Sequence, residues 1–296
     1  MKKLFLILLM LSSSAFAQKL TIIVPFAAGT TPDIQCRHIM ETYDSLYNTN
    51  SSIINMPGAD QLIGYRQFTS MTDDGFFCSG NGVMGVSQKI NQNFTLGPEL
   101  VKPVAMTSTF SYFVYGSNGN SLDEIMRNSK TTGRKVTVGA ISQHAAKLVT
   151  TLLSENNIPY EVIAYKKPAD SLPSLKDKQL DIYIDGGTLK PVLDEMREVK
   201  EIAHISPKNL SQSENLYKRN DNVKYLIAHT VIYVNSLVSE SNVQEYNKRF
   251  NTIMKRQETI EFMRSRFPQH TINTYTVKEI ESYSTKLKHY LNYVYN

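Results

Sequence analysis

Short apolar runs alternate along this chain with turns and with stretches whose apolar residues recur at helical spacing, a pattern of strands followed by helices. Leu20 to Phe26 is the first run, continuous and with Pro25 near its end, which predicts a buried strand. Thr31-Pro32 then opens a helix, Thr31 as cap and Pro32 at the first helical position, with Ile34, His38 and Tyr43 on its inward face. Ser52 to Asn55 predicts a short strand. The turn Met56-Pro57-Gly58, a helix through Leu62 and Phe68, and a strand over Phe76 to Ser79 follow it.

The same order of strand, turn and helix continues in the second half. Val104 to Met106 and Tyr112 to Tyr115 predict extended segments, and Ser121-Leu122-Asp123-Glu124 is a capping box that starts a helix. Val136 to Ala140 predicts a strand, after which Ser142 caps a helix carrying His144, Leu148 and Leu152. Tyr160 to Tyr165 and Leu180 to Asp185 predict strands around a short helix with Leu172 and Leu175, and Glu201 to Ile205 one more. Beyond Val223 the order changes. Tyr225 to Val234 is extended, then Val243, Tyr246, Phe250, Ile253 and Met254 keep helical spacing. A second capping box, Thr276-Val277-Lys278-Glu279, precedes Ile280, Tyr283, Leu287 and Leu291 on one face.

Alternation of this kind predicts an α/β fold with mostly parallel sheets. Two such blocks predict two lobes: residues 18–110 with 232–296, the C-terminal helices returning to the first block, and residues 111–231. Extended crossovers near Ser111 and near His229 would be the hinges.

The first seventeen residues stand apart. Lys2 and Lys3 precede the apolar run Leu4 to Leu11, too short for a membrane anchor, and Ala15-Phe16-Ala17 is a small-x-small cleavage signature. The expectation is a signal peptide, residues 1–17, cleaved after Ala17. The formal charge is +5, and loss of Lys2 and Lys3 leaves +3. That charge is mild and dispersed, which argues against a nucleic-acid partner. Cys36 and Cys78 are the two cysteines of an exported chain, and sequence leaves both a bridge and free thiols open. No GxSxG elbow, HExxH pair or metal-spaced Cys/His group is present, so the reading is not an enzyme, with no cofactor and no metal.

Ligands of open α/β sheets sit beyond the carboxyl ends of the strands, where helix N-termini present free N–H groups and positive partial charge to an anion. Two loops have that form. The first is Pro25 to Asp33, in which Gly29 lets the backbone turn tightly and Thr30 and Thr31 supply hydroxyls. Taken alone it reads more readily as an ordinary strand-to-helix turn. The second is Gly139 to His144, where Ser142 is either a helix cap, a ligand contact or both. Lys166, just after the strand ending at Tyr165, is placed to add a charge-assisted bond to a carboxylate, although an exposed lysine needs no such role.

At these residues the chain resembles the periplasmic solute receptors of tripartite tricarboxylate transporters, the Bug or TctC-like family. Ile22 to Asp33 is similar to the family's VPFxPGGxxD, Asn55 to Ala59 with Gly64 to its NxPGAxxxxG, and Asp74-Gly75-Phe76 to its PDGY turn. Val136 to His144 resembles YGSxGxGSxxHL, Ala164-Tyr165-Lys166 resembles PYKG, and Leu180 to Asp185 resembles VDLMFD. Thr30 replaces the family's second Gly, and Lys167 stands where Gly is usual. The resemblance implies a type II periplasmic-binding-protein-like fold, a periplasmic location, and capture of a small carboxylate (a di- or tricarboxylate or an acidic amino acid) in the interlobe cleft of a monomer. The membrane permease subunits of a tripartite transporter are its implied partners. Residue by residue it points to Phe26, Ala27, Gly29, Thr30 and Asp33 in one lobe and to Ser142, Gln143, Tyr165 and Asp185 in the other. His144 and Lys166 join them from their positions. A sensing module for a signalling partner and an exported enzyme on the same fold are the alternatives.

Overall fold

A computed structural model describes residues 17–72, 74–80, 98–117, 120–219, 223–224 and 227–295. The expected leader up to residue 16, Tyr225, Leu226 and the side chain of Leu291 lie outside the described residues.

The chain begins with β1 (Gln18–Val24), α1 (Thr31–Tyr47), β2 (Thr49–Asn55), α2 (Leu62–Thr69), β3 (Gly75–Gly80) and β4 (Val101–Thr109). It then crosses into β5 (Tyr112–Ser117), α3 (Leu122–Thr132), β6 (Val136–Ala140), α4 (Gln143–Glu155), β7 (Tyr160–Ala164), α5 (Leu172–Lys176), β8 (Ile182–Asp185), α6 (Lys190–Leu193), β9 (Val199–Ile205), β10 (Glu214–Asn215) and α7 (Leu216–Arg219). The return comprises β11 (His229–Asn235), α8 (Glu240–Met254), α9 (Gln257–Arg266), β12 (Thr271–Ile272) and α10 (Val277–Tyr295). These strands form two six-stranded sheets, in the orders β12-β4-β11-β3-β1-β2 and β10-β9-β5-β8-β6-β7.

The period-two pattern of each central strand decides its packing. On β1, Leu20, Ile22 and Val24 join Cys36, Ile39, Met40 and Tyr43 of α1 and Phe250 and Ile253 of α8 on one face. Ile23 turns to the other face, with Tyr65, Phe68 and Phe77. In the second sheet Phe113 and Tyr115 of β5 face Leu180 and Tyr183, whereas Val114 between them joins the opposite layer with Val138 and Leu148. Both capping boxes form: Ser121 with Glu124, and Thr276 with Glu279. Cys36 and Cys78 are joined in a disulfide with their Cα atoms 6.2 Å apart, tying α1 to β3.

Several expectations change in detail. Thr30, not Thr31, occupies the N-cap of α1, and its hydroxyl donates to Ala27 O at 2.7 Å instead of capping the helix. The inward face of α1 is Cys36, Ile39, Met40 and Tyr43, while Ile34 and His38 are half-buried. His38 stacks on Phe262 of α9, ring centroids 3.9 Å apart, because the C-terminal helices cover that side. The sheets are mixed, with β5 and β11 antiparallel to their neighbours. Each is the first strand after a crossing. A chain that enters a sheet from the side where the parallel strands finish must run against them. The strand starting at His229 lies wholly in the first sheet, so His229, Thr230 and Val231 belong with the first block and the return crossing precedes them.

Candidate functional site

The carboxyl ends of β1 and β6 each lead into a helix N-terminus, as the apolar run, turn and cap order requires. After β1 the backbone turns at Gly29, whose φ of +80° is left-handed and whose Cα faces open space. Phe26 is half-buried, and Ala27 and Gly29 are exposed. The first intrahelical bond of α1 runs from Ile34 N–H to Thr30 O, so the amides of Thr31 and Asp33 have no partner within the helix.

Asp33 holds this loop in shape. Its Oδ2 accepts from Gly29 N–H at 2.8 Å and Arg37 Nε at 3.1 Å, and its Oδ1 from Asn55 Nδ2 at 2.7 Å. Burial pushes its pKa up, but bonds from Arg37, Asn55 and the Gly29 amide outweigh that and hold it below the ordinary carboxylate value. Only 1% of Asp33 is exposed. Its oxygens are thus engaged within the loop itself, whose exposed residues are Ala27, Ala28 and Gly29.

The second loop has the same form. Ser142 is the N-cap of α4 and its hydroxyl accepts from Ala145 N–H at 3.1 Å. The amides of Gln143 and His144 lie ahead of the first intrahelical bond of α4, from Ala146 N–H to Ser142 O. Gln143 is exposed and His144 is buried. Tyr165 lies against this loop: a Cβ added at Gly139 would stand 3.2 Å from its Cε2. Lys166, next in the chain, is exposed.

A third loop completes this edge. Asp185, at the end of β8, accepts at Oδ2 from Gly187 N–H at 2.7 Å and Leu189 N–H at 3.0 Å. Its Oδ1 is buried with no hydrogen-bond partner among the described residues. Burial, opposed by those two amide bonds and by Lys190, raises its pKa to about 6.

Two residues at the crossing, Tyr112 and His229, feel charges from both sheets. Burial raises the pKa of Tyr112, and the charges of Asp60, from the first block, and Asp185, from the second, raise it further. His229, at the start of β11, is pushed down to about 3 by burial and then by the charge of His144 on α4. A recess of about 400 Å³ between Lys208 and the Met263 to Ile272 segment holds none of the expected ligand residues.

Sequence reading missed the turn Ala59-Asp60-Gln61. Those three consecutive non-glycine residues have φ of 46°, 50° and 79°. Such strain persists where surroundings over-determine it. Here the Gln61 Oε1 accepts from Ser79 Oγ at 2.6 Å and Gly80 N–H at 2.9 Å, pinning the turn to β3. Nothing in the composition of the turn signals this, because the pinning partner is distant in sequence.

No family model matches this chain, and no curated protein matches it. Solved structures do. A periplasmic binding protein named BugD is 18% identical over 94% of this chain and 95% of its own, with a TM-score of 0.71. MatC from Rhodopseudomonas palustris, solved with malate, is 15% identical over 93% and 99%, at 0.72. An R. palustris protein solved with adipate is 13% identical over 93% and 97%, at 0.75. The chain therefore has the two-lobed fold of the Bug and TctC periplasmic solute receptors.

Proposed function

We propose that this chain is an extracytoplasmic receptor that captures a small carboxylate between its two lobes and delivers it to the permease subunits of a tripartite tricarboxylate-type transporter. The observation that carries the reading is the paired arrangement of helix N-termini, α1 after β1 and α4 after β6, one in each lobe. First-turn amides and positive helix ends offset the desolvation of an anion, and Lys166 adds a cation beside the second loop. The loops of Phe26, Ala27, Gly29 and Thr30, and of Ser142, Gln143, His144, Tyr165 and Lys166, supply the contacts. Asp33 shapes the first loop and Asp185 the third.

Binding follows from the two blocks. Contacts made only when both loops reach the ligand favour the closed arrangement by the amount of that differential affinity. The malate and adipate held by two proteins of this fold support a carboxylate over other small solutes. Among the described residues no helix is long and apolar enough to cross a membrane. That fits a chain released into the periplasm after cleavage at Ala17. A thermal-shift screen of mono-, di- and tricarboxylates and acidic amino acids tests the reading, because a ligand of the native state raises apparent stability. At least one carboxylate should raise the midpoint in proportion to the logarithm of its concentration; no shift with any of them would end the proposal.

A further inference from the structure

We infer that His270 is a positioning residue that sets the relation between the two binding loops, through a hydrogen-bond chain running from α1 across the lobes to the turn after β8.

The chain starts in the first lobe. Gln35 lies two residues after Asp33 and is fully buried. The hydroxyls of Ser108 and Thr230 donate to its Oε1 at 2.9 and 2.7 Å. That fixes the amide, so its Nε2 points at His270 Nδ1, 3.2 Å away. An amide nitrogen only donates, hence Nδ1 must be the acceptor. The ring proton is then on Nε2, which lies 3.4 Å from the carbonyl oxygen of Gly186 and donates to it. Gly186 directly follows Asp185 in the second lobe. Each end of the chain is thus within two residues of a binding-loop carboxylate, one per lobe.

The surroundings hold the ring in this neutral, oriented form. Phe110 lies 4.5 Å and Phe267 5.6 Å from it, centroid to centroid. The charged group beside it is Lys208, whose Nζ donates to the His270 carbonyl at 3.5 Å. Burial and that lysine both oppose a charged imidazole, against the opposite pull of the Gly186 bond. The neighbouring residue makes the approach tighter. Ser111 Oγ donates to Gln269 O at 2.8 Å, and a Cβ on Gly187 would lie 2.3 Å from Gln269 Nε2. Residues 269 and 270 therefore sit against the backbone of the β8 turn beside the crossing. The bond to Gly186 is the longest of the chain and the one that spans the lobes, so it is the link that yields first when they move.

The receptor reading enters only through affinity, so the test is made without ligand on the full mature chain. His270→Asn keeps the acceptor for Gln35 but does not reach Gly186; His270→Gln places a donor near Gly186. Amide exchange at Gly187 and Leu189 should rise about fivefold in His270→Asn, the worth of one hydrogen bond, and return towards wild type in His270→Gln. Amides of β1 serve as the control for global stability. Equal exchange at Gly187 and Leu189 in wild type and His270→Asn would overturn the inference. Nitrogen-15 chemical shifts of wild-type histidines give a second decision that needs no folded variant. The Nε2–H tautomer at neutral pH supports it, and the Nδ1–H tautomer or a charged ring refutes it. A protein that bound no carboxylate would end the receptor reading and leave both measurements valid.

Discussion

Asn55 Nδ2 donates to Asp33 Oδ1 at 2.7 Å, joining the end of β2 to the first turn of α1. The same nitrogen donates to Phe26 O at 3.0 Å, and Arg37 donates to Asn55 Oδ1 at 2.8 Å. One amide side chain therefore fixes both walls of the first binding loop. Asn55→Ala should cost about 2 kcal/mol of stability, since it removes three hydrogen bonds in a partly buried site. Part of that cost depends on pH. Asp33 is held below its ordinary value, so its contribution is present above the unfolded-state pKa and is lost as pH falls through the lower folded value. Urea unfolding at pH 7 and pH 3 checks this: the gap between wild type and variant should narrow at pH 3.

The Cys36–Cys78 bridge closes a loop with a sequence separation of 42. In the chain-entropy account a bridge of that span contributes about 4 kcal/mol. A Cys36→Ala, Cys78→Ala double variant should lose stability on that order in denaturant titration. Both sulfurs belong to residues at most 1% exposed, so mild reductant should leave the native protein bridged and act only once it unfolds. Rapid reduction under native conditions would contradict the packing.

Asp185 works in the opposite sense to Asp33. Its folded pKa is raised to about 6, so the folded state holds the proton more tightly than the unfolded chain does. Its contribution is most favourable below the unfolded value and declines as pH rises towards the folded one. At neutral pH its ionised form costs about 3 kcal/mol. Asp185→Asn keeps an acceptor for the Gly187 and Leu189 amides and removes the charge. The thermal midpoint of the ligand-free variant should vary less between pH 4 and pH 7 than that of wild type. Parallel curves would show that Asp185 does not titrate in this range.

A Cβ placed on Gly29 would meet nothing within 4 Å, so a side chain there is opposed by the left-handed φ and not by crowding. Gly29→Val should cost about 1–2 kcal/mol through backbone conformation alone. It should weaken carboxylate binding by at least about tenfold, because the loop amides lose their direction. Calorimetric titration with the acid that gives the largest thermal shift decides it. Undiminished affinity would move the contact away from this loop.

The sequence by itself determined the alternation of strands and helices, the two capping boxes, the Ser142 cap and the turn at Gly29. These are local matters: period, cap chemistry and the freedom of glycine act within a few residues. Most of the resemblance-bearing loops were legible for the same reason. Tertiary structure decided the rest. Whether two cysteines bridge depends on where α1 meets β3. The direction of β5 and β11 depends on the side from which a crossing chain enters a sheet. The left-handed run at Ala59 to Gln61 survives because Ser79 and Gly80 hold it, and His270 meets Gly186 only because the C-terminal segment returns to the crossing. Contacts between residues far apart in the chain leave no local pattern, so packing alone could set them.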